Sequence, residues 1–221
     1  QSLYEFKKNH HDNIHPFPSS IEREHFEQAR NMSDEPEDQR NISGIKLGFY
    51  GVIDERFDIN LIDKIAKARP EWNLVILGPT AKIDPAALPQ HANIHYLGQK
   101  DYKELPSYLA GWDVALLPFE INEATRFISP TKTPEYLAAG RPVVSTPITD
   151  VVTPYGDNGF VKIASDAEGF IQAIDELLKL DKKEWLPKVD KFLKQNSWDI
   201  TQDRMFELIK TTIKNKETLA A

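Results

Sequence analysis

Two charged side chains, Lys132 and Glu135, stand close together where a helix is predicted to begin, in the stretch PTKTPEYLAAG. The amino end of a helix offers free backbone N–H groups and the positive end of the helix dipole, so an ammonium group beside it would suit a diphosphate. Glu135, one turn into the helix, could accept hydrogen bonds from two ribose hydroxyls, or it could merely complement the dipole. A diphosphate site beside a ribose site would indicate a nucleotide-linked ligand.

The ends of this helix carry their own signals. Ser129 or Thr131 could cap it, Pro130 or Pro134 suits its first turn, and Gly140 is predicted to end it.

Glycines follow three predicted strands, at Gly51, Gly78 and Gly98. Gly51 lets the chain turn tightly, and Arg56 lies near the start of the next helix, where a guanidinium and free N–H groups could share a phosphate. Gly78 and Gly98 would let a flat ligand such as a nucleobase lie against bare backbone. Each loop taken alone could equally be a solvated turn.

These loops belong to a regular alternation of strands and helices that starts at Ile45. The predicted strands are IKLGFYG, NLVILG, NIHYLG, DVALLPF, RPVVST and GFVKIA, and helical patterns separate most of them. The strands are continuous apolar runs, which is typical of a parallel sheet covered on both faces. We therefore predict a doubly wound, Rossmann-like α/β domain whose ligands bind beyond the carboxyl ends of the strands.

The remaining segments are predicted as follows. QSLYEFKK is a short helix, NIHPFP a short strand and EREHFEQAR a helix, whereas residues 31–44 are polar and acidic like a linker or exposed loop. Two amphipathic helices end the chain and are split at NSWD, where Ser197 could cap the second.

Composition narrows the function classes. The 221 residues carry a net charge of −7, which disfavours binding to a nucleic acid backbone, and cysteine is absent. The chain contains no G-x-G-x-x-G and no P-loop motif, so dinucleotide oxidoreductases and P-loop NTPases lose support. The histidines form no pattern typical of a metal site, and we predict neither a metal nor a cofactor. No apolar run approaches the roughly 20 residues that span a bilayer.

The stretch PTKTPEYLAAGRPVVST resembles the donor-site signature of GT-B-fold glycosyltransferases, particularly the retaining glycosyltransferase family 4, in which a glutamate opens E-A-M-A-x-G-x-P-V-V. Residues 49–79 and 93–119 resemble the preceding strands of that family in the right order, and FPSSIEREHF is similar to its hinge segment. The resemblance covers about residues 14 to 214 and is specific as an ensemble, although no single motif would suffice.

The resemblance implies a nucleotide-sugar donor as substrate, UDP-linked by family habit. It implies that Glu135 binds the ribose, that backbone amides near Thr131 and Lys132 hold the distal phosphate, and that Arg56 clamps the diphosphate. Backbone around Gln99 would read the base. It identifies no catalytic residue.

Two positions depart from the family pattern. Phe127 stands where the family has a second glutamate, and Val52 stands where it has an arginine. Asn122, Glu123 and Arg126 could substitute as contacts to the sugar, although a simple exposed loop explains them as well.

The resemblance also implies a domain division. Residues 1–20 would be a remnant of an amino-terminal acceptor domain and hinge, 21–44 a helix and acidic linker, 45–195 the nucleotide-sugar-binding domain, and 196–221 an interdomain helix. The chain would be the donor half of a cytoplasmic or peripheral inner-membrane enzyme of polysaccharide synthesis, inactive without its acceptor half. A non-catalytic nucleotide-sugar binding module and a GT-B-like epimerase stay open as alternatives.

Overall fold

The computed structural model describes residues 1–11, 13–195 and 197–220. Asp12, Asn196 and Ala221 lie outside the described residues, so the domain boundary predicted at 196, the start of the predicted NSWD split and the predicted end at 221 fall there.

Six parallel strands form one sheet, in the order β3-β2-β1-β4-β5-β6. The strands are β1 (Lys46–Tyr50), β2 (Asn73–Leu77), β3 (Ile94–Gly98), β4 (Val114–Leu117), β5 (Val143–Ser145) and β6 (Val161–Ile163). The predicted doubly wound α/β fold is confirmed. The strand order reverses between β1 and β4, which is the switch point where such sheets open a crevice for ligands.

Helices surround the sheet. They are α1 (Ser2–Lys7), α2 (Arg23–Glu27), α3 (Glu37–Arg40), α4 (Ile59–Ala68), α5 (Leu105–Ala110), α6 (Lys132–Ala138), α7 (Thr149–Val151), α8 (Ala167–Leu177), α9 (Lys182–Leu193) and α10 (Trp198–Ala220). Short single-turn helices lie at Gln28–Arg30, Pro85–Ala87 and Tyr102–Glu104.

The central strands are buried because their side chains are apolar on both faces. Every residue of β1 and β4 is buried, as the continuous apolar runs predict. On β1 the absence of a side chain at Gly48 makes room for an indole, since a Cβ there would lie 1.9 Å from Cδ2 of Trp112. Trp112 thereby packs flat against the strand that leads to the crevice.

Helix α4 follows the first glycine loop and buries Leu61, Ile62 and Ile65 against the sheet. Its amino end is capped by Asp58, whose Oδ1 accepts a hydrogen bond from the Leu61 N–H at 2.8 Å. This cap fixes where the loop after β1 stops and the helix starts.

We expect Asp58→Ala to lower the free energy of unfolding by about 1 kcal/mol, because the cap bond is lost and an N–H at the helix start goes unpaired. Urea denaturation measures this change. Asp58→Ser is the control, since a serine can still cap and should retain most of the stability. Equal stability of the Ala variant and the unmutated chain would contradict the capping role.

Two segments near the amino end differ from the prediction. NIHPFP is not a strand: residues 14–20 have no regular structure, and the nearest sheet-like pairing is an isolated bridge between Ile21 and Ser197. Pro16 and Pro18 have no N–H groups to donate to a strand ladder, which explains why the predicted strand does not form.

The polar segment 31–44 makes contacts that its composition does not predict. It contains α3, and the Gln39 side chain is fully buried. Its amide donates to the Tyr108 carbonyl at 2.9 Å and accepts from Nε1 of Trp112 at 3.0 Å. The segment is therefore anchored to α5 and to Trp112 by a satisfied buried amide.

The carboxyl-terminal part agrees with the prediction at its cap. The Ser197 hydroxyl accepts a hydrogen bond from the Ile200 N–H at 3.3 Å, at the start of α10. Within the described ranges, no helix is both long enough and apolar enough to cross a membrane.

Candidate functional site

The loops that follow β1, β2 and β3 meet side by side at the carboxyl edge of the sheet. The Gly51 N–H donates to the Leu77 carbonyl at 2.9 Å, and the Gly78 N–H donates to the Gly98 carbonyl at 2.8 Å. The first two loops touch through bare backbone, because a Cβ on Gly78 would lie 1.9 Å from the Gly51 carbonyl oxygen.

These loops open a cleft of about 230 Å³. Its lining consists of Tyr50, Gly51, Val52, Leu77, Gly78, Pro79, Gln99, Lys100 and Leu105. Three of the predicted site residues, Gly51, Gly78 and Gln99, are thus brought into one cleft. Two of the three are glycines, so much of the cleft wall is peptide backbone that a flat polar ligand could contact.

The Lys132 side chain lies over Gly51. A Cβ on Gly51 would lie 2.4 Å from Cε and 2.8 Å from Nζ of Lys132, and Gly51 has a φ of +144°, which few other residues adopt. The Lys132 ammonium lies 5.8 Å from the centre of the Phe49 ring. Gly51 therefore does more than turn the chain, because the absence of a side chain there leaves the space that the Lys132 side chain occupies.

Glu135 reaches the same cleft through Tyr50. The Tyr50 hydroxyl donates a hydrogen bond to Oε2 of Glu135, and the Tyr50 N–H donates to the Tyr136 hydroxyl at 3.0 Å. The carboxyl end of β1 and the first turns of α6 are therefore joined by two hydrogen bonds, and Tyr50 is the donor in both.

Burial shifts the pKa values of both charged groups toward their neutral forms. It lowers the pKa of Lys132, and the nearby positive charge of Arg56 lowers it further, while the charges of Glu135 and Asp54 oppose the shift. Burial raises the pKa of Glu135, against the hydrogen bond from Tyr50 and the positive charges of Lys132 and His25. The charged form of each group is thus stabilised by the other's charge and destabilised by lost hydration. Such opposing shifts are common at binding sites.

Arg56 lies near this pair, but its guanidinium already has a partner. It makes hydrogen bonds to both carboxylate oxygens of Asp54, at distances from 2.5 to 3.1 Å. This pairing raises the pKa of Arg56 and lowers that of Asp54. Because Asp54 neutralises much of the charge, a phosphate would have to compete with a carboxylate for the guanidinium.

Two stacked aromatic rings lie near Glu135. Tyr102 stacks on His25 with ring centres 4.4 Å apart and planes 12° from parallel. Burial, together with the charges of Glu22 and Glu135, raises the pKa of Tyr102 to about 12. Tyr102 lies a few residues after Gln99, so the loop after β3 supplies an aromatic ring as well as the backbone that lines the cleft at Gln99.

The structure does not bring Asn122, Glu123 and Arg126 into this cleft. They line a separate cleft of about 440 Å³ beside Pro147–Thr149. Asn122 Oδ1 accepts from the N–H groups of the two residues that follow Glu123, and Glu123 pairs with Arg126 at 3.5 Å on the surface. Their observed contacts are those of a folded loop, and a role toward a sugar stays a prediction.

The two positions that depart from the family pattern are apolar in the structure as well. The Phe127 ring packs on Phe6 with ring centres 4.9 Å apart, while Val52 is 42% exposed at the cleft. Thr131 occupies the cap position of α6, but its side chain makes no cap hydrogen bond. Gly140 ends α6 as predicted, with a φ of +69° and its N–H donating to Leu137.

Sequence reasoning missed Tyr50, Asp54 and the His25–Tyr102 stack. Tyr50 reads as one more buried strand residue, and Asp54 as one acid in a solvated loop. One signal was available for Tyr50: a tyrosine is the last residue of an otherwise apolar strand, immediately before the first glycine loop.

No group of three or more histidine, aspartate or glutamate residues in the described part of the chain is arranged to hold a metal ion. The expectation that no metal or cofactor is needed stays a prediction. The cleft offers bare backbone, and a half-buried ammonium and a half-buried carboxylate lie against its lining residues Gly51 and Tyr50. These groups together have the chemistry to bind an anion, a pair of hydroxyls and a flat polar ring.

Comparison with known proteins shows similarity to glycosyltransferases. The family described as "Glycosyl transferases group 1" matches residues 46–180. TuaH of Bacillus subtilis (strain 168), a candidate glycosyltransferase of teichuronic acid biosynthesis, is 30% identical over 138 residues, which are 61% of this chain and 34% of TuaH.

Solved structures show the same fold at low identity. A glycosyltransferase from Rickettsia africae ESF-5 has a TM-score of 0.69 at 16% identity, over 92% of this chain and 58% of its own. Anabaena HepE, solved in complex with UDP and glucose, has a TM-score of 0.63 at 14% identity, over 86% of this chain and 55% of its own.

This chain spans about a third of TuaH and a little over half of these two structures. The family match covers the three glycine loops and helix α6. This chain, with the strand order and switch point described above, has the fold of these GT-B glycosyltransferases. On these grounds the chain belongs to the glycosyl transferases group 1 family.

Proposed function

We propose that this chain is the donor-binding half of a glycosyltransferase and that its cleft binds the UDP part of a UDP-sugar. One observation carries the proposal: the partly buried side chains of Lys132 and Glu135 contact Gly51 and Tyr50, which line a cleft walled by the backbone of Gly51 and Gly78. The HepE structure, solved with UDP and glucose, supports the choice of UDP.

Each part of the cleft has a role in this proposal. The Lys132 ammonium binds the diphosphate, with backbone amides near Thr131 beside it. Glu135 accepts hydrogen bonds from the ribose hydroxyls, and backbone near Gln99 contacts the uracil. Arg56 adds positive charge at the diphosphate end, although Asp54 holds its guanidinium in the structure.

The chemistry that follows concerns the leaving group. When a sugar leaves UDP, negative charge grows on the diphosphate, and positive groups fixed in a water-poor site stabilise that charge. Lys132 is suited to this task because burial deprives its ammonium of water. A phosphate would supply the interactions that water does not. The acceptor and its binding site are proposed to belong to the half that the longer relatives carry beyond this match.

Titration calorimetry with UDP, GDP and ADP tests the proposal. We expect UDP to bind with one site per chain and to bind more tightly than GDP and ADP. The negative control is uridine, which lacks the diphosphate and should bind much more weakly. No detectable heat or competition with any of the three diphosphates at millimolar concentration would contradict a donor site in this cleft.

A further inference from the structure

We propose that Tyr50 is a positioning residue for Glu135, and that its hydroxyl holds the carboxylate in the one orientation that reads the ribose. The inference deepens the proposed function and rests on it. Tyr50 itself touches Glu135 and lines the cleft, so it acts on the ligand through the carboxylate.

The first support is the fixed position of the Tyr50 ring. Tyr50 is only 8% exposed, and its ring meets the Tyr136 ring edge to face at 4.9 Å and tilts against Trp112 at 6.3 Å. Its backbone N–H is held by the Tyr136 hydroxyl at 3.0 Å. A ring held by packing on two sides and by its own backbone presents the hydroxyl at one place.

The second support is the way Glu135 is bonded. Oε2 accepts the Tyr50 hydroxyl, while Oε1 has no hydrogen-bond partner among the residues that the structure describes. A carboxylate held at one oxygen keeps the other oxygen and the remaining lone pairs for a ligand. Two adjacent ribose hydroxyls need two acceptor sites at a fixed spacing, so a carboxylate free to rotate would bind them less well.

The third support is the set of charges that face Glu135. Lys132 lies on the same helix, His25 faces it from α2, and Tyr50 faces it from β1. The charge of Glu135 also reaches Tyr102 and Tyr136. Of these groups only Tyr50 donates a hydrogen bond to the carboxylate, and this bond favours the charged form that burial disfavours.

The test compares two tyrosine-to-phenylalanine variants. Tyr50→Phe removes the hydroxyl that bonds Glu135. Tyr108→Phe is the matched control, because Tyr108 is 3% exposed and its hydroxyl donates to the Asp38 carboxylate at 2.8 Å, so it loses the same kind of bond elsewhere. Urea denaturation of both variants shows that each is folded.

The main readout is the ratio of the Kd values for 2′-deoxy-UDP and UDP, measured by calorimetry. We expect the unmutated chain and Tyr108→Phe to prefer UDP by about tenfold, and Tyr50→Phe to prefer it by only about twofold. A change in general stability would shift both Kd values together and would leave the ratio unchanged. An unchanged ratio in Tyr50→Phe would overturn the inference while leaving UDP binding, and thus the proposed function, intact.

A second readout needs no ligand. Carbon-13 NMR of the Glu135 carboxyl is expected to show a titration midpoint at higher pH in Tyr50→Phe than in the unmutated chain or Tyr108→Phe, because the charged form loses its hydrogen bond. Equal midpoints in all three would overturn the inference. Should none of the proteins bind UDP, the proposed function fails, and the ribose role of Tyr50 falls with it whatever the midpoints are.

Discussion

Replacement of Lys132 by alanine is expected to weaken UDP binding by roughly 1–3 kcal/mol, which is about five-fold to more than a hundredfold in Kd. The Lys132 side chain lies over Gly51, which lines the cleft. Its loss would leave the diphosphate with backbone donors, with Lys100 of the cleft lining and with an arginine that Asp54 already holds. Calorimetry with UDP measures the change.

Lys182→Ala is the matched control for this variant. Burial lowers the pKa of Lys182 too, but its charged neighbours are Arg141 and Asp113, beside the amino ends of β4 and β5 and thus at the opposite edge of the sheet. We expect UDP affinity to be unchanged in this control. If Lys132→Ala also bound UDP as tightly as the unmutated chain, the lysine would not be a phosphate ligand.

The pH dependence of UDP binding should also report the role of the Lys132 ammonium. Because burial lowers the pKa of Lys132, its ammonium loses its proton at a lower pH than an ordinary lysine does. UDP affinity is therefore expected to fall as the pH rises toward that pKa, and Lys132→Ala should lack this fall. A bound diphosphate would itself raise the pKa of Lys132, so the fall reports the free protein.

Glu135→Gln is expected to lower UDP affinity by about 1–2 kcal/mol, or roughly tenfold, because a neutral amide loses the charge assistance that a carboxylate gives to two ribose hydroxyls. The variant should also lose most of the preference for UDP over 2′-deoxy-UDP. Calorimetry with both nucleotides measures each effect. Equal affinity of the unmutated chain for UDP and 2′-deoxy-UDP would rule out a ribose contact by Glu135.

The stability of Glu135→Gln separates this role from the alternative that Glu135 merely complements the dipole of α6. A carboxylate that only complemented the dipole would cost roughly 0.3–1 kcal/mol of stability when lost, and UDP affinity would stay the same or rise. Here burial raises the folded-state pKa of Glu135 above its unfolded value, so protonation favours the folded state. Its contribution to stability is present at low pH and is lost as the pH rises through the folded pKa.

At neutral pH we therefore expect Glu135→Gln to be at least as stable as the unmutated chain, and its relative advantage should shrink as the pH falls and Glu135 becomes protonated. Urea denaturation across this pH range measures the difference. A stability loss at neutral pH together with unchanged UDP affinity would favour the dipole role.

The sequence was most informative where one physical pattern dominates. Short continuous apolar runs such as the one ending at Tyr50 are typical of strands covered on both faces, and the glycines after them mark the carboxyl edge where the loops meet. The cleft that joins Gly51, Gly78 and Gln99 was predictable for that reason.

The sequence was least informative about which side chains pair with each other in the folded chain. Asp54 is only two residues from Arg56, yet this spacing does not show that its carboxylate would bind Nε and Nη2 of the guanidinium instead of leaving them for a ligand. Nothing near Tyr50 shows that its hydroxyl would meet a carboxylate 85 residues away. Such pairings depend on side-chain rotamers and on how β1 and α6 are placed relative to each other, which the hydrophobic periodicity of the sequence does not show.

The same limit explains the Asn122–Arg126 loop. A cluster of polar residues after β4 looked suited to a sugar, because loops after strands face the crevice. In the structure these side chains satisfy one another and line a different cleft beside Pro147–Thr149. Polar residues in a loop often serve the loop's own backbone, and sequence spacing does not distinguish that use from ligand binding.

A crystal structure of this chain grown with UDP would test the central claim most directly. The account expects the diphosphate within hydrogen-bond distance of Nζ of Lys132, the ribose hydroxyls on Glu135 and the uracil against the backbone of Gly78 and Gln99. UDP seated instead in the cleft beside Asn122 and Arg126, or bound with its ribose away from Glu135, would contradict it.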